Sequence, residues 1–576
     1  MMFLIREFLK RRIWFYFAGV ITLIVVDTLQ LIVPKFISRA VDSLNVETPD
    51  IGVAKLMAIG IIGIAIGMFF TRFFWRFFII GSARKFTYEA RKILYDKILS
   101  LDMSFFDKNR SGDLMANFTN DMNNIERMLG PGIVMMVDAS FMSVITLFFM
   151  ATSVGWKLTL IALIPLPFIM LISLVFGKFI YKRSKKVQDT FSDLSGFTEE
   201  SIDGIRILKS FSILPKFENL FLDRANRNFR ATLSLVKVWG IMWPLIHFIS
   251  SLSYFITIAY GGPMVINQKI TLGMFFAFNN YIGMIVWPLT AFGWVINIIQ
   301  NGRASYTRIL EVLKTQSKVV EPDNPVEIDE INDITIKNLN YKYPDSNRYV
   351  LKGVNLEIKR GQLVGIVGTV GSGKSTIVKI ISKLYPVERG YVYINGYDIN
   401  DIPSKIVRTK ISYVPQETFL FSTSIKNNIA FGLDDFEEWQ IKEYAMLSAV
   451  HSDIERFPKS YDTVVGERGV TLSGGQKQRI TIARALIRNC DVFIFDDCLS
   501  AVDPETEEKI ISSLRKSMES KTMIIITHRL KVLKDADIIY VFDDGQVVES
   551  GTHKQLMEID GLYADMYKKQ LIEESL

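Results

Sequence analysis

Leu363-Val-Gly-Ile-Val-Gly368-Thr369-Val370-Gly371-Ser372-Gly373-Lys374-Ser375-Thr376, followed by an apolar helical run over 377–384, decides the reading of the C-terminal half. A short apolar run that ends at glycine reads as a buried strand. The loop after it has the spacing G-x-x-x-x-G-K-[ST] and opens a helix, the context in which this pattern binds phosphate. Its glycines let the backbone curl until successive N–H groups point at one anion, Lys374 adds a point charge, and the Ser375 hydroxyl is suited to Mg²⁺.

Working outward, Val492-Phe-Ile-Phe-Asp496-Asp497 is a second apolar strand, ending in two carboxylates. In phosphate-loop enzymes a strand of this kind lies beside the loop, and its first Asp supports the metal. Short β-rich runs alternate with helical ones from 334 to 576, as in an α/β domain. Before them, 316–333 is polar and acidic with Pro322 and Pro325, and reads as a linker.

The remaining half has another character. Mean hydropathy is +0.23, the chain holds 41 Phe, and nearly all its long apolar runs precede residue 300. A bilayer core about 30 Å thick takes roughly 20 apolar residues per helix. Six stretches qualify: about 13–37, 56–80, 129–153, 158–177, 238–266 and 273–300. The first is too long for a signal peptide and lacks a small-residue cleavage site, so it reads as an uncleaved span. Eight Lys/Arg lie between the second and third spans and twelve between the fourth and fifth, whereas the opposite loops offer only Arg39, Lys55, Lys157 and Lys269. The positive-inside rule then puts both termini and the soluble half in the cytoplasm of a cell (inner or plasma) membrane. The two long basic connections carry helical patterns over 90–101 and 198–211, so the membrane helices are expected to extend into the cytosol and turn near 104–113 and 205–214. Cys490 and Cys498 match neither a disulfide framework nor a zinc site. The net charge of +7, from 67 Lys+Arg against 60 Asp+Glu, is accounted for by membrane-flanking charge rather than by nucleic-acid binding.

Between the two strands stands Leu472-Ser473-Gly474-Gly475-Gln476, ahead of a helical run. Physically it sets backbone N–H groups and a hydroxyl at a helix N-terminus, an anion site. With this pentapeptide the chain resembles the ATP-binding cassette family, specifically a bacterial half-transporter of the multidrug or lipid exporter type. The resemblance implies an α-helical six-span transmembrane domain (1–315), a linker (316–333) and an α/β P-loop NTPase nucleotide-binding domain (334–576). It further implies that ATP and Mg²⁺ are bound, and that Leu472–Gln476 face the nucleotide held by a second half-transporter.

Other positions are similar to family motifs one by one. Tyr343 stands where an adenine-stacking aromatic belongs, and Gln416 matches the loop glutamine that approaches Mg²⁺ together with Ser375 and Asp496. The run Val465-Gly-Glu467-Arg-Gly resembles an exporter-specific loop contacting the cytoplasmic arms. Ser500-Ala-Val-Asp503 matches a loop that crosses the dimer interface, and His528 a histidine that contacts the γ-phosphate. One departure stands out: the family carries Glu after the strand-ending Asp, and this chain carries Asp497, a catalytic base one methylene shorter. That pattern resembles the degenerate-site subunit of heterodimeric exporters; a homodimer with Asp497 as a slower base is the alternative.

The function implied is ATP-driven, alternating-access export of a hydrophobic or amphipathic substrate such as a drug, lipid or peptide. An ATP-gated channel or transport regulator on the same plan is the competing reading. Within or near the apolar spans, Asp27, Arg72, Arg76, Asp138 and His247 suggest a polar pathway, structural pairing, or exposure where the second and fifth spans leave the bilayer on the cytoplasmic side. Trp243, Phe276, Phe278, Tyr281 and Trp287 are candidates for cavity lining or for packing. Pro244 and Pro288 are candidate kinks.

Overall fold

The computed structural model describes residues 3–575 except 47, 345, 467–471, 501 and 518–519. It divides into two compact units, one of residues 1–99 and 111–314 and the other of 100–110 and 315–576.

The first unit is helical. Six apolar helical stretches have the length and composition to cross a membrane: Ile5–Leu44, Ile51–Leu99, Ser111–Val154, Trp156–Asp203, Leu214–Ile266 and Leu272–Lys314. Each contains one expected span and overruns it. At 1.5 Å per residue the 53 residues of the fifth reach roughly 80 Å, far beyond a hydrocarbon core of about 30 Å. The long arms expected from the sequence are therefore present. Short helices at Met103–Lys108 and Ile205–Ser210 occupy the expected turning regions.

Local chemistry sets the helix ends. Asp50 caps the second stretch by accepting from Gly52 N at 2.9 Å and Val53 N at 3.1 Å. Asp42 ties the end of the first stretch to the start of the sixth, accepting from Thr271 Oγ1 at 2.7 Å and Gly273 N at 2.8 Å. A Cβ at Gly273 would stand 2.0 Å from the Ser38 carbonyl oxygen, so only glycine allows that approach. Helix runs unbroken through Pro244 and Pro288, and the non-helical backbone within the first stretch is at Arg12. The second stretch interposes a π-helical turn, Arg76–Ile80, and the third another, Asn117–Asp121. Buried Asp121, in the second π turn, pairs with Arg308 of the sixth stretch.

The second unit carries the sheets. Strands β1 (Asp333–Tyr341), β2 (Leu351–Lys359), β4 (Val392–Ile394) and β5 (Tyr397–Asp398) form an antiparallel sheet in the order β2-β1-β4-β5. Strands β3 (Leu363–Gly368), β6 (Ile411–Val414), β7 (Val492–Asp496), β8 (Thr522–Ile526), β9 (Ile538–Asp543) and β10 (Gln546–Gly551) form the larger sheet, ordered β10-β9-β3-β8-β7-β6. All its pairings are parallel except β10 with β9. Strands β3, β7 and β8 are buried at every residue, which is why they read as continuous apolar runs rather than as alternation. Strand β8 lies between β3 and β7, so β7 reaches the loop with its end rather than by pairing with β3. Right-handed crossovers leave room for such an insertion, and sequence order carries no signal of it.

A third group of this unit packs Leu420, Ile425, Ile429, Ile441 and Leu472 against Ile480, Ala483 and Ile487. It forms a small helical core that carries the helix Gly474–Leu486. Segment 100–110 belongs to this unit as well. Asp102 accepts from Ser104 N at 2.9 Å, from Ser317 Oγ at 3.2 Å and from Lys318 N, while Tyr385 donates to Asp107 Oδ2 at 2.7 Å. Burial works against the Asp102 carboxylate, but the donors from Ser104, Lys318 and Ser317 hold its pKa below the ordinary value.

Candidate functional site

The site forms where parallel strands end. Leaving β3, the chain turns through Gly368, Gly371 and Gly373 at φ of 143°, 81° and 97°, all in the region that favours glycine. At Gly368 a Cβ would meet the Phe542 carbonyl oxygen at 1.9 Å, so the turn hugs β9. Helix Lys374–Ile381 then begins, and its first turn has N–H groups without intrahelical acceptors. Lys374 is buried, and its Nζ donates to the carbonyls of Gly368 at 3.0 Å and Thr369 at 2.7 Å. Burial lowers its pKa, with Asp497 and Asp496 opposing that shift. Ser372 Oγ donates to Thr369 O at 2.8 Å and tightens the loop, while Val370 stands almost wholly exposed at its tip. Thr369 Oγ1 reaches Asp543 at 2.9 Å.

Asp496, at the end of β7, joins the loop despite the strand between them. Its Oδ1 accepts from Ser375 Oγ at 2.8 Å and its Oδ2 from Tyr413 at 2.9 Å. Gln416 Nε2 donates to Asp497 Oδ2 at 3.3 Å. Asp497 itself has a left-handed backbone (φ 47°), and its N–H is anchored on Ile526 O at 2.9 Å. Burial raises its carboxyl pKa, with His528 acting against burial and Asp496 adding to it. A hydroxyl, a carboxylate and an amide side chain are the hard donors that Mg²⁺ accepts. Among the described residues no group of three His, Cys, Asp or Glu could hold a metal. The residues nonetheless fit both the nucleotide phosphates and the ion.

The other expected residues fall as follows. Tyr343 donates to or accepts from Thr376 Oγ1 at 3.0 Å and packs edge-on against Tyr341 and Tyr385. His528 is exposed just after β8, and its carbonyl accepts from Gln570. Ser473 caps the helix Gly474–Leu486 in a reciprocal box: its Oγ accepts from Gln476 N at 3.3 Å, and Gln476 Oε1 accepts from Ser473 N at 3.0 Å. Gly474 and Gly475 open that helix, and Leu472 is buried beneath it. The run 465–469 extends past the described residues at Glu467, and Ala501 of the 500–503 loop is also outside them. Around the latter loop, Arg529 donates to Val502 O at 2.8 Å and pairs with buried Glu507.

Two supports escaped the sequence reading. Arg484, on the helix behind Ser473, donates to Phe419 O and Asn428 O, each at 2.8 Å, and lies over the rings of Phe421 and Phe431. It thus ties the segment after Gln416 to the Ser473 helix, and its burial lowers its pKa to about 10. The available signal was an arginine within the otherwise apolar run 480–487. Tyr413 is the second support. Its place on an apolar strand, three residues before Gln416, gave no hint that its hydroxyl reaches Asp496.

In the first unit, Asp27 is buried and lines a cavity with Asp138 and Trp287, whereas Arg72, Arg76 and His247 do not line it. Phe278 and Tyr281 are fully buried, Tyr281 donating to Leu31 O at 3.0 Å, so these two aromatics are packing rather than lining.

A phosphate-gripping loop, a hard-metal carboxylate and a capped anion-type helix N-terminus, in one chain with six membrane-length helices, define a membrane-bound P-loop nucleotide-binding protein. Residues 16–289 match the ABC transporter transmembrane region and 351–500 the ABC transporter family. The probable multidrug resistance ABC transporter ATP-binding/permease protein YheI of Bacillus subtilis is 34% identical, the match covering 98% of this chain and 97% of YheI. The multidrug resistance-like ATP-binding protein MdlA of Escherichia coli is 34% identical over 98% of this chain and 96% of its own length. The ATP-dependent lipid A-core flippase of Syntrophus aciditrophicus is 33% identical over 85% of this chain and 81% of the flippase. Among solved structures, a bacterial Atm1-family ABC exporter with ATP bound superposes at a TM-score of 0.81 with 25% identity, over 98% of this chain and 99% of that one. The chain belongs to the ABC transporter family. It is a multi-pass membrane protein of exporter fold in which ATPase activity drives transport, and ABC exporters work as dimers.

Proposed function

We propose that this chain is one half of a heterodimeric exporter for small hydrophobic or amphipathic substrates, lipids among them, and that it supplies the weaker of two nucleotide sites. The observation that carries the reading is the geometry at the end of β7. Asp496 is fixed on Ser375 at 2.8 Å, while the next residue, where a base belongs, is the short Asp497 held by Gln416. Misplacing a catalytic group by about 1 Å costs roughly a hundredfold in rate. The relatives' names, multidrug resistance proteins and a lipid A-core flippase, support the substrate class. In this reading residues 1–315 are the transmembrane domain, 316–333 the linker and 334–576 the nucleotide-binding domain.

At this chain's own site, Gly368–Thr376 would cradle the phosphates through backbone N–H groups and Lys374. Tyr343 would lie against the base and His528 would reach the terminal phosphate. Ser375, Asp496 and the Gln416 amide oxygen would hold Mg²⁺, which supplies Lewis-acid neutralisation of phosphate charge when bound. Asp497 would accept the proton of the attacking water. Leu472–Gln476 would face the partner's nucleotide, Ser473 and the amides behind it meeting the phosphate. Closure around two nucleotides would move the long helical arms, and hydrolysis would reset them.

The test is an asymmetry. In the purified heterodimer Ser473→Arg is expected to abolish nearly all ATP turnover, whereas Asp497→Asn keeps more than about half of it, because that site is already slow. If Asp497→Asn stops turnover as fully as Ser473→Arg, Asp497 is a working base and the homodimer reading replaces this one.

The cytoplasmic placement of both termini in the cell membrane has its own test. Both native cysteines are buried, so an introduced cysteine reports with little background. In intact cells one at Asn45 should react with an impermeant maleimide and one at Asn109 should not; the reverse pattern would invert the topology.

A further inference from the structure

The membrane unit holds a cavity of about 720 Å³ among its first, third, fifth and sixth helical stretches. Two carboxylates line it, Asp27 and Asp138. Asp27 is only 5% exposed, yet its Oδ2 has no hydrogen-bond partner, and neither has Oδ1 of Asp138. Bare carboxylate oxygens in a buried site are expensive, because burial removes water and nothing replaces it. Asp138 lies close enough for its charge to act on Asp27. The cation that also acts on Asp27 is Arg72, which is exposed on the second stretch, and among the described residues no ion pair joins them. A membrane protein that keeps two uncompensated acids at one cavity is suited to a ligand that compensates them.

The rest of the lining narrows the ligand. Asn279 and Asn280 each donate their NH₂ group to the carbonyl four residues earlier, at 3.0 Å, which leaves an amide oxygen as the acceptor. Carboxylates and amide oxygens favour a ligand that brings donors. Trp287 lines the same space, and indole is the strongest aromatic partner for a cation. Gly283 also lines it, and a Cβ there would stand 2.8 Å from the Tyr254 hydroxyl, so the glycine keeps the cavity open.

We propose that this cavity binds an organic cation bearing N–H donors, a protonated amine or amidine on an apolar body, with Asp27 and Asp138 as the acceptors that select it. The proposal deepens the export reading by naming a substrate class, and it rests on that reading for its meaning as a transport site. The selection falls on the donors as well as on the charge. A quaternary ammonium of the same body satisfies Trp287 but gives the carboxylates no hydrogen.

The probes are 2-(1-naphthyl)ethylammonium and its N,N,N-trimethyl counterpart, titrated calorimetrically into the nucleotide-free exporter in lipid nanodiscs, with its partner chain where one co-purifies. The primary ammonium is expected to bind at least about tenfold more tightly, equivalent to about 1.4 kcal/mol. Asp27→Asn with Asp138→Asn is expected to erase the preference, leaving the two cations equal. Should that double variant fail to assemble, Asp27→Glu keeps the charge and should keep the preference, and Gly283→Ala should weaken both cations alike by filling the cavity. Equal binding of the two cations to the native protein overturns the proposal. So does a preference that survives the double variant, a preference that Asp27→Glu abolishes, or binding that Gly283→Ala leaves unchanged. The export reading fails separately: an exporter that binds the ammonium selectively yet moves no substrate uphill in proteoliposomes would sink transport and leave the binding site standing.

Discussion

Two pairs of acids stand in the two units, and they are built in opposite ways. Asp496 and Asp497 close a parallel strand. A hydroxyl from Ser375 and another from Tyr413 meet the first, an amide from Gln416 meets the second, and a buried lysine lies within electrostatic reach of both. Asp27 and Asp138 project from membrane helices, and each has an oxygen with no partner. The first pair is finished by the protein, which suits the roles proposed for it, holding an ion and taking a proton. The second is left open, and its energetics are completed from outside. A satisfied buried network fixes geometry, whereas an unsatisfied one stores a penalty that a ligand can relieve.

The largest expected break in that contrast comes at Lys374. Lys374→Ala strips the cation from the finished pair, and ATP binding at this chain's own site should fall by roughly two orders of magnitude, read by photo-crosslinking of an azido-nucleotide. Undiminished labelling would remove Lys374 from the phosphate site.

A comparison of stabilities sharpens the contrast. Asp496→Asn strands the Ser375 and Tyr413 hydroxyls against a weaker acceptor and should cost about 1–3 kcal/mol, seen as a lower apparent melting temperature. Asp138→Asn replaces an acid that has a buried oxygen without a partner, and should leave that temperature unchanged or raise it. Equal losses would mean that the membrane pair is structural.

Asp102 supplies the smallest effect, as a fully satisfied acid outside both pairs. Its pKa is held below the ordinary value, so its contribution is complete above that ordinary value and disappears only as pH falls through the depressed one. Hydrogen exchange of 100–110 should therefore stay slow down to mildly acidic pH, and Asp102→Asn should speed it at neutral pH and flatten its acid dependence. Tyr385→Phe, which removes the bond to Asp107, should add about 1 kcal/mol of local opening in the same measurement. Exchange that neither variant alters would show that this segment is held by apolar packing alone.

What the sequence made legible was whatever a short stretch enforces by itself. A G-x-x-x-x-G-K-S loop between a strand and a helix admits few backbones, and Leu472–Gln476 announces a capped helix start in five residues. Twenty apolar residues in a row have one home. What stayed hidden depends on chain that meets itself from afar. Nothing near β7 says that β8 will insert beside it. The regular helical pattern through Asp27 does not show that Asp138, over a hundred positions on, shares its cavity. Phe278 and Tyr281 look like lining candidates until packing buries them, while Trp287, similar in composition and spacing, reaches the cavity. Arg484 was legible only as an oddity, because its partners, Phe419 and Asn428, lie 65 and 56 residues before it.

Segment 100–110 has a consequence in time. Asp102 bonds to a backbone 216 positions later, and Asp107 to a tyrosine 278 positions later. At a synthesis rate of about 5–20 residues per second, the ribosome needs roughly ten to fifty seconds between making this hairpin tip and making what receives it. During that interval segment 100–110 presents an unsatisfied acid and an uncovered Phe105–Phe106 pair to its surroundings. Order of emergence thus makes residues 315–576 the last step in finishing the unit to which 100–110 belongs. A truncated message ending near residue 314 should yield a membrane-inserted product whose tip is open to chaperones and proteases, while the complementary fragment 315–576 begins life without one of its own pieces.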